Sequence, residues 1–197
     1  ADDLEALAAR TGATALRADL VDRADLHALV GRAEAAHGPV DVLVNNAAIE
    51  TVGHLADLTA EEVERSVALN LLAPVELSRR VLPGMLEREH GTIVNISSLA
   101  GVATFPGLAL YGGTKAGLTH LTSGLRSDLR GSAVRTLAVE IGPVESDMMD
   151  RIDGHAPTAA AFDRLVRARL LPMLDAHEVA NRVVTAVRSD RPHLRMP

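Results

Sequence analysis

The sequence contains no cysteine and no tryptophan, and only one tyrosine and two phenylalanines. Without cysteine the chain can form no disulfide and offers no thiolate, which suits a reducing cytoplasm. The scarcity of aromatic side chains and the net charge of −6 argue against binding of nucleic acid. No apolar run approaches the length of a membrane span, and the acidic first residues do not resemble a signal peptide. We therefore expect a cytoplasmic domain without a membrane span.

The histidines do not form a metal site by their spacing. The eight of them are scattered, and no two stand at a separation typical of metal ligands. Apolar residues make up 47% of the chain, which is enough for a packed core. We find no repeat, no low-complexity tract and no linker, so residues 1–197 are expected to form a single domain.

Helical and strand patterns alternate along the chain, which is typical of a parallel sheet covered by helices. Helices are predicted at 2–11, 22–36, 59–82, 112–130 and 175–188, with capping-box spacing at Thr59/Glu62 and Asp175/Glu178. Pro74 marks a kink or a break in its helix. Strands are predicted at 13–18, 40–44, 92–96 and 133–141, the second of them apolar enough to be buried on both faces. Residues 142–158 are expected to be irregular. The predicted fold class is α/β, a Rossmann-like doubly wound parallel sheet in three α/β/α layers.

Tyr111 and Lys115 stand four residues apart on a predicted helix, so the phenol and the ammonium share one face. A fixed cation favours the phenolate and would lower the tyrosine pKa, which suits a group that donates and accepts a proton. Alone, this pair is weak, because such spacings arise by chance in many helices. Its context is more specific, since Ser98 ends the preceding strand and strand ends are where ligands bind in such sheets.

Taken together, these motifs resemble the short-chain dehydrogenase/reductase family from about Leu4 to Ser146. The matching pieces in order are Asp19-Leu20, Asn45-Asn46-Ala47, Asn70, Ser97-Ser98, Tyr111 with Lys115, and Gly142-Pro143-Val144-Glu145-Ser146. The resemblance implies an oxidoreductase that uses NAD or NADP to interconvert a secondary alcohol and a ketone. The implied catalytic set is Asn70, Ser98, Tyr111 and Lys115. The implied cofactor contacts are Asp19, Leu20, Asn45, Ala47, Tyr111, Lys115, Gly142, Val144 and Ser146.

The resemblance also implies a role for each of these groups. Tyr111 would be the general acid or base, Ser98 would bind the substrate oxygen, and Lys115 would hold the nicotinamide ribose. Asn70 would distort its helix and seat a water that connects Lys115 to solvent, whereas Ser97 would be structural. Asp19 and Leu20 would contact adenine, Asn45 and Ala47 would line the cleft through their backbone, and Val144 with Ser146 would hold the carboxamide. Ala48 and Ile141 depart from the family, which usually has glycine and proline there.

Several expectations concern the rest of the protein. No Gly-rich dinucleotide turn is present, so a strand–turn–helix–strand unit is expected to be missing before residue 1. Residues 147–171 are predicted to form a mobile flap that offers Met148, Met149, Ile152 and Phe162 to a hydrophobic substrate; a fixed helical hairpin is the alternative. The helices at 60–82 and 112–130 are predicted to pair in a homodimer or homotetramer. A non-catalytic dinucleotide-binding sensor or scaffold protein is the alternative function, and the choice between NAD and NADP stays open.

Overall fold

The computed structural model describes residues 2–145, 152, 154–168 and 171–196. Within these ranges the helices are α1 (Asp2–Thr11), α2 (Arg23–His37), α3 (Ala60–Val67), α4 (Ala73–Glu87), α5 (Ala109–Asp128), α6 (Ala156–Arg167) and α7 (Ala176–Arg188). The strands are β1 (Val42–Asn45), β2 (Gly91–Ser98), β3 (Val134–Ile141) and β4 (His193–Met196). Short 3₁₀ turns lie at Leu55–Asp57 and Leu99–Gly101.

The described strands form one parallel sheet in the order β1-β2-β3-β4. Every neighbouring pair is parallel, and β2 and β3 pair along their whole length, from Gly91 with Val134 to Ser98 with Ile141. Parallel neighbours require crossover connections, which the helices supply. The strands therefore all end at one edge of the sheet, which brings the segments that follow β1, β2 and β3 together.

Helices cover both faces of the sheet, as the sequence pattern predicts. On one face, α2, α4 and the end of α5 pack against side chains such as Leu43, Ile93 and Val134. On the other face, α7 packs against Val94 and Leu137, together with β4. Successive strand residues alternate between these two cores, because side chains in a strand point to opposite faces. The three-layer α/β/α architecture is confirmed.

The helix predicted at 59–82, with a kink or a break at Pro74, is interrupted by a π-helical segment, Ala68–Leu72. The capping box at Thr59 and Glu62 starts α3, and the chain continues through the π segment into α4 without leaving the helical path. Pro74 lies in the first turn of α4, where a missing N–H is tolerated. The extra residue in the π turn shifts the helix register at Asn70, which is buried there.

Four details differ from the expected elements. Residues 13–18 are not a strand, because no described strand lies beside them to pair with. β1 is not buried on both faces, since Val42 and Val44 remain 47% and 49% exposed. α6 begins inside the stretch expected to be irregular, at Ala156. β4 was not predicted at all, although it completes the described sheet.

Candidate active site

A cavity of about 770 Å³ opens at the carboxyl edge of the sheet. Residues that follow three strands line it: Asn46, Ala47 and Ala48 after β1; Ser97 and Ser98 at the end of β2; Gly142, Pro143 and Val144 after β3. Tyr111 and Lys115 of α5 face the same space. In doubly wound sheets, ligands bind outside the carboxyl ends of the strands, and this cavity occupies that place.

Ser98, Tyr111 and Lys115 lie together within this cavity. The Ser98 hydroxyl lies close enough to the Tyr111 phenol to lower the pKa of that phenol. The Lys115 ammonium lies 5.8 Å from the centre of the Tyr111 ring, and it donates a hydrogen bond of 2.8 Å to the carbonyl oxygen of Ile96. All three side chains converge because β2 delivers Ser98 at its end and α5 presents Tyr111 and Lys115 one turn apart. The structure thus joins a hydroxyl, a phenol and an ammonium in one pocket.

The pKa of Tyr111 moves in the direction opposite to the expected one. Burial raises it, the nearby negative charge of Glu50 raises it further, and the Ser98 hydrogen bond lowers it, with a result of about 12. Burial also lowers the pKa of Lys115 to about 8, because a buried ammonium loses its hydration. The phenol is therefore protonated at neutral pH and suited to donate a proton.

Asn70 ties the loop after β1 to the turn that carries Tyr111. Its side-chain amide accepts a hydrogen bond of 2.9 Å from the Ile49 N–H and donates one of 2.8 Å to the Ile49 carbonyl. The same amide donates to the Thr114 hydroxyl at 3.2 Å, and Thr114 in turn donates to the Tyr111 carbonyl at 2.7 Å. Asn70 lies in the π segment, as its expected distortion of the helix requires. Its described contacts are structural ones, which hold the two sides of the pocket in register.

The glycine after Tyr111 allows α5 to approach the end of β2 closely. A Cβ on Gly112 would lie 2.5 Å from the carbonyl oxygen of Ala100, and one on Gly101 would lie 2.7 Å from the Ala116 nitrogen. Gly113 faces open space. The first of the two adjacent glycines is therefore required by packing, whereas the second is not.

Buried polar side chains support the site from below. The side-chain amide of Asn45 donates a hydrogen bond of 2.8 Å to the side-chain oxygen of Asn95. The side-chain amide of Asn95 in turn donates one of 2.8 Å to the Thr122 hydroxyl. This chain of hydrogen bonds links β1, β2 and α5. Ser97, predicted to be structural, donates to the Lys115 carbonyl at 2.9 Å. Asn45 thus acts here through its side chain as well as by its position at the end of β1.

The segment after β3 is held in place by residues from the end of the described chain. The Gly142 N–H donates to the Met196 carbonyl at 2.8 Å, and the Leu174 N–H donates to the Pro143 carbonyl at 2.8 Å. Val144 and Leu174 form an isolated parallel bridge. β4 and the segment before α7 therefore fix the loop that forms one wall of the cavity.

The other walls of the cavity are mostly apolar. Phe105 stacks on Phe162 of α6, with their ring centres 4.9 Å apart. Ile152 and Leu171 are buried and line the same space. Thr158 of α6 donates a hydrogen bond of 2.7 Å to the Pro106 carbonyl, which fastens this helix to the loop before α5. α6 borders the cavity, and its Phe162 side chain forms part of the wall.

Some predicted site residues do not meet the others. The side chain of Asp19 is exposed and accepts from the Val21 N–H at 2.9 Å, within its own turn, and Leu20 packs against a hydrophobic core. Neither lines the cavity. Ser146 and Met148 lie outside the described residues, and Met149 does too. Three polar residues of the site, Glu50, Asn95 and Thr114, were missed, although a polar side chain within an apolar strand was a signal for Asn95.

The described donors fit the nicotinamide end of a dinucleotide. The hydroxyls of Ser98 and Tyr111 and the ammonium of Lys115 lie beside the strand ends, and the small residues Ala47, Ala48 and Gly142 leave room for a ring and a ribose. In the described ranges no cluster of three or more histidine or carboxylate side chains could hold a metal ion. None of the described helices is long and apolar enough to cross a membrane.

Comparison with known proteins agrees with this architecture. The family model described as short chain dehydrogenase matches residues 1–156. The ketoacyl reductase HetN of a Nostoc species is 37% identical over 178 residues, which cover 90% of this chain and 58% of that protein. This chain therefore spans less than two thirds of that relative's length.

Solved structures share the fold. A short-chain dehydrogenase from Streptomyces avermitilis matches with a TM-score of 0.84 at 28% identity, covering 100% of this chain and 75% of its own. A short-chain dehydrogenase from Sphingobium yanoikuyae, in complex with NADPH, matches with a TM-score of 0.82 at 30% identity, covering 98% and 73%. With the family model matching most of its length, this chain belongs to the short-chain dehydrogenase family.

Proposed function

We propose that this chain carries the catalytic site of an NAD(P)-dependent oxidoreductase that interconverts a secondary alcohol and a ketone, with Tyr111 as the general acid and base. The observation that carries the proposal is the convergence of Ser98, Tyr111 and Lys115 at the carboxyl edge of the sheet. Membership of the family and the NADPH bound to the Sphingobium relative support the choice of cofactor. NAD and NADP both remain candidates.

The geometry supports a separate role for each residue of the site in carbonyl reduction. The cofactor, when bound, supplies a hydride to the carbonyl carbon. Tyr111 donates its proton to the carbonyl oxygen, and its raised pKa keeps that proton in place at neutral pH. The Ser98 hydroxyl, which lines the same cavity as the phenol, positions the same oxygen. Lys115 would hold the ribose hydroxyls of a bound cofactor, as the family resemblance implies, and its positive charge lies close to the ring of Tyr111.

The substrate is proposed to be a small carbonyl or alcohol compound with a hydrophobic body. Phe105, Phe162, Ile152 and Leu171 supply the apolar surface that would contact it. We further propose that the protein is a homodimer or homotetramer whose subunits pair through the helices at residues 60–82 and 112–130. Leu72 and Val67, which are half-exposed on the first of these segments, support this choice.

The proposal is tested by the change Tyr111→Phe, which removes the phenolic hydroxyl and keeps the ring. We expect kcat for ketone reduction to fall by roughly 10²- to 10⁴-fold, the usual contribution of general acid catalysis. Dinucleotide affinity, measured by fluorescence titration, should stay close to that of the parent protein. A Tyr111→Phe variant with nearly parental kcat would show that another group donates the proton.

A second variant separates loss of chemistry from loss of structure. His120→Phe introduces the same side chain at an exposed position of the same helix. It should retain parental turnover and a parental melting temperature. Equal losses in both variants would point to damage of α5 rather than to the missing phenol.

A further inference from the structure

Glu50 is an acidic side chain in a largely apolar pocket. It is 8% exposed and lines the same cavity as Ser98 and Tyr111. Of the described lining residues, Glu50 and Lys115 are the charged ones. The Lys115 ammonium is engaged by the Ile96 carbonyl and lies at the ring of Tyr111. Glu50 is thus the acidic group that faces the space in which a substrate would contact the catalytic phenol.

The position of Glu50 is set by the backbone. Asn70 hydrogen bonds to both the N–H and the carbonyl of Ile49, the residue immediately before it. Thr51, the residue immediately after it, is buried as well. The Glu50 side chain that leaves the backbone at this point is buried within the cavity rather than exposed to solvent. Its negative charge therefore stays beside the reaction centre.

A charge fixed in such a pocket discriminates between substrates. Coulomb's law at an effective dielectric constant of about 20 gives roughly a thousandfold effect of one unit charge on another at about 4 Å, so a preference of at least about tenfold between opposite signs survives strong screening. Glu50 already acts on its surroundings in this way, because its charge contributes to the raised pKa of Tyr111. A carboxylate also accepts hydrogen bonds from hydroxyl and ammonium groups, and these bonds are stronger than those between neutral partners.

Building on the function proposed above, we propose that Glu50 determines substrate specificity: it selects ketones that carry a proton-donating group, an ammonium or a hydroxyl, on the neighbouring carbon, and it rejects those with a carboxylate beside the carbonyl. The apolar walls formed by Phe105 and Phe162 accept the body of such a substrate. Glu50 accepts the hydrogen bond from the donor group, while Ser98 and Tyr111 bind the carbonyl oxygen. A cationic donor gains further from the aromatic faces nearby.

Four phenyl ketones of similar size test the proposal. They are 2-aminoacetophenone, 2-hydroxyacetophenone, propiophenone and phenylglyoxylate, which differ chiefly in the group beside the carbonyl. Reduction is measured with NADH and with NADPH at mildly acidic pH, where the amine is protonated. The parent protein is compared with Glu50→Gln, which removes the charge and keeps the shape. Glu61→Gln, an exposed position at the start of α3, is the matched control.

We expect the parent to have a higher kcat/KM for the ammonium ketone than for the carboxylate ketone. In Glu50→Gln the ratio of these two values should fall by at least about tenfold. The ratio in Glu61→Gln should equal that of the parent. A higher kcat/KM of the parent protein for phenylglyoxylate than for 2-aminoacetophenone overturns the proposal whether or not Glu50→Gln folds. An unchanged ratio of these two kcat/KM values in Glu50→Gln overturns it as well.

Failure of the proposed function gives a different result. In that case the parent reduces none of the four ketones with either dinucleotide, and the proposal about Glu50 is decided by equilibrium binding. Titration calorimetry should then show tighter binding of 2-aminoacetophenone than of phenylglyoxylate, with the difference reduced in Glu50→Gln. Equal binding of the two ketones by the parent overturns it.

Discussion

The two adjacent glycines of α5 allow a comparison in which the same substitution has opposite effects. Alanine is favoured over glycine inside a helix by about 1 kcal/mol. Gly113 faces open space, so Gly113→Ala should raise the free energy of unfolding by about 0.5–1 kcal/mol. At Gly112 the new methyl would lie 2.5 Å from the Ala100 carbonyl oxygen, about 0.9 Å short of ordinary contact. Overpacking against backbone costs about 1–3 kcal/mol, so Gly112→Ala should lower the free energy of unfolding by about 1–2 kcal/mol in net.

The same displacement should reach the chemistry. Ala100 belongs to the 3₁₀ turn that follows Ser98, and the Ser98 hydroxyl accepts a hydrogen bond of 3.1 Å from the Ala100 N–H. Pushing this turn away from α5 moves Ser98 relative to Tyr111, and a misplacement of about 1 Å can cost about 10²-fold in rate. Urea denaturation gives the stabilities and steady-state kinetics give kcat/KM. The reasoning is refuted if Gly112→Ala is as stable and as active as Gly113→Ala.

Three further predictions use other properties of the protein. Alcohol oxidation should become faster as pH rises through the alkaline range, because a Tyr111 pKa of about 12 disfavours the phenolate that accepts the proton, whereas the rate of ketone reduction should stay constant through neutral pH. Initial rates in both directions measure this. An oxidation rate that already levels off at neutral pH would contradict the prediction. Hydrogen exchange in residues 147–171 should be fast without ligand and slow with dinucleotide and substrate if this segment is a mobile flap; strong protection in both states would favour a fixed hairpin. Light scattering at micromolar concentration should give a dimer or tetramer, and a monomeric mass would rule out the proposed pairing of helices.

Much of the fold follows from local signals in the sequence. The apolar stretches of β2 and β3, and the capping residues Thr59 and Asp175, depend on interactions within a few residues, and the structure has them where the pattern predicts. The order of the family motifs likewise predicted the group of Ser98, Tyr111 and Lys115. These elements can be predicted from the local sequence alone, because periodicity and capping act over one or two turns.

The elements that were missed depend on partners far away in the sequence. β4 alternates the polar residues His193 and Arg195 with Leu194 and Met196. Both polar side chains contact Glu140 of β3, which accepts from Arg195 at 2.6 Å and lies 3.0 Å from His193. Residues 13–18 have strand composition, but none of the described strands lies beside them, and a strand forms only when it is paired.

The direction in which the pKa of Tyr111 is shifted was also predicted wrongly. The spacing of Tyr111 and Lys115 indicated a lowered tyrosine pKa, but burial and the charge of Glu50 reverse the direction. Burial is a property of the packed molecule and cannot be read from spacing. Glu50 itself gave no signal, since a single acidic residue after Ile49 resembles any loop residue until the fold turns it into the cavity.

The hydrogen bond from Gly142 to Met196 has a consequence for the order in which the protein folds. Parallel pairing between β3 and β4 joins segments that have α6 and α7 between them in the sequence, and contacts of such long range form slowly. Because β4 follows all the other described strands in the sequence, ribosomes release it last. A nascent chain that stops before β4 therefore contains Ser98, Tyr111 and Lys115 together with Gly142 and Pro143, but its Gly142 N–H lacks the Met196 carbonyl that holds this wall of the cavity in place.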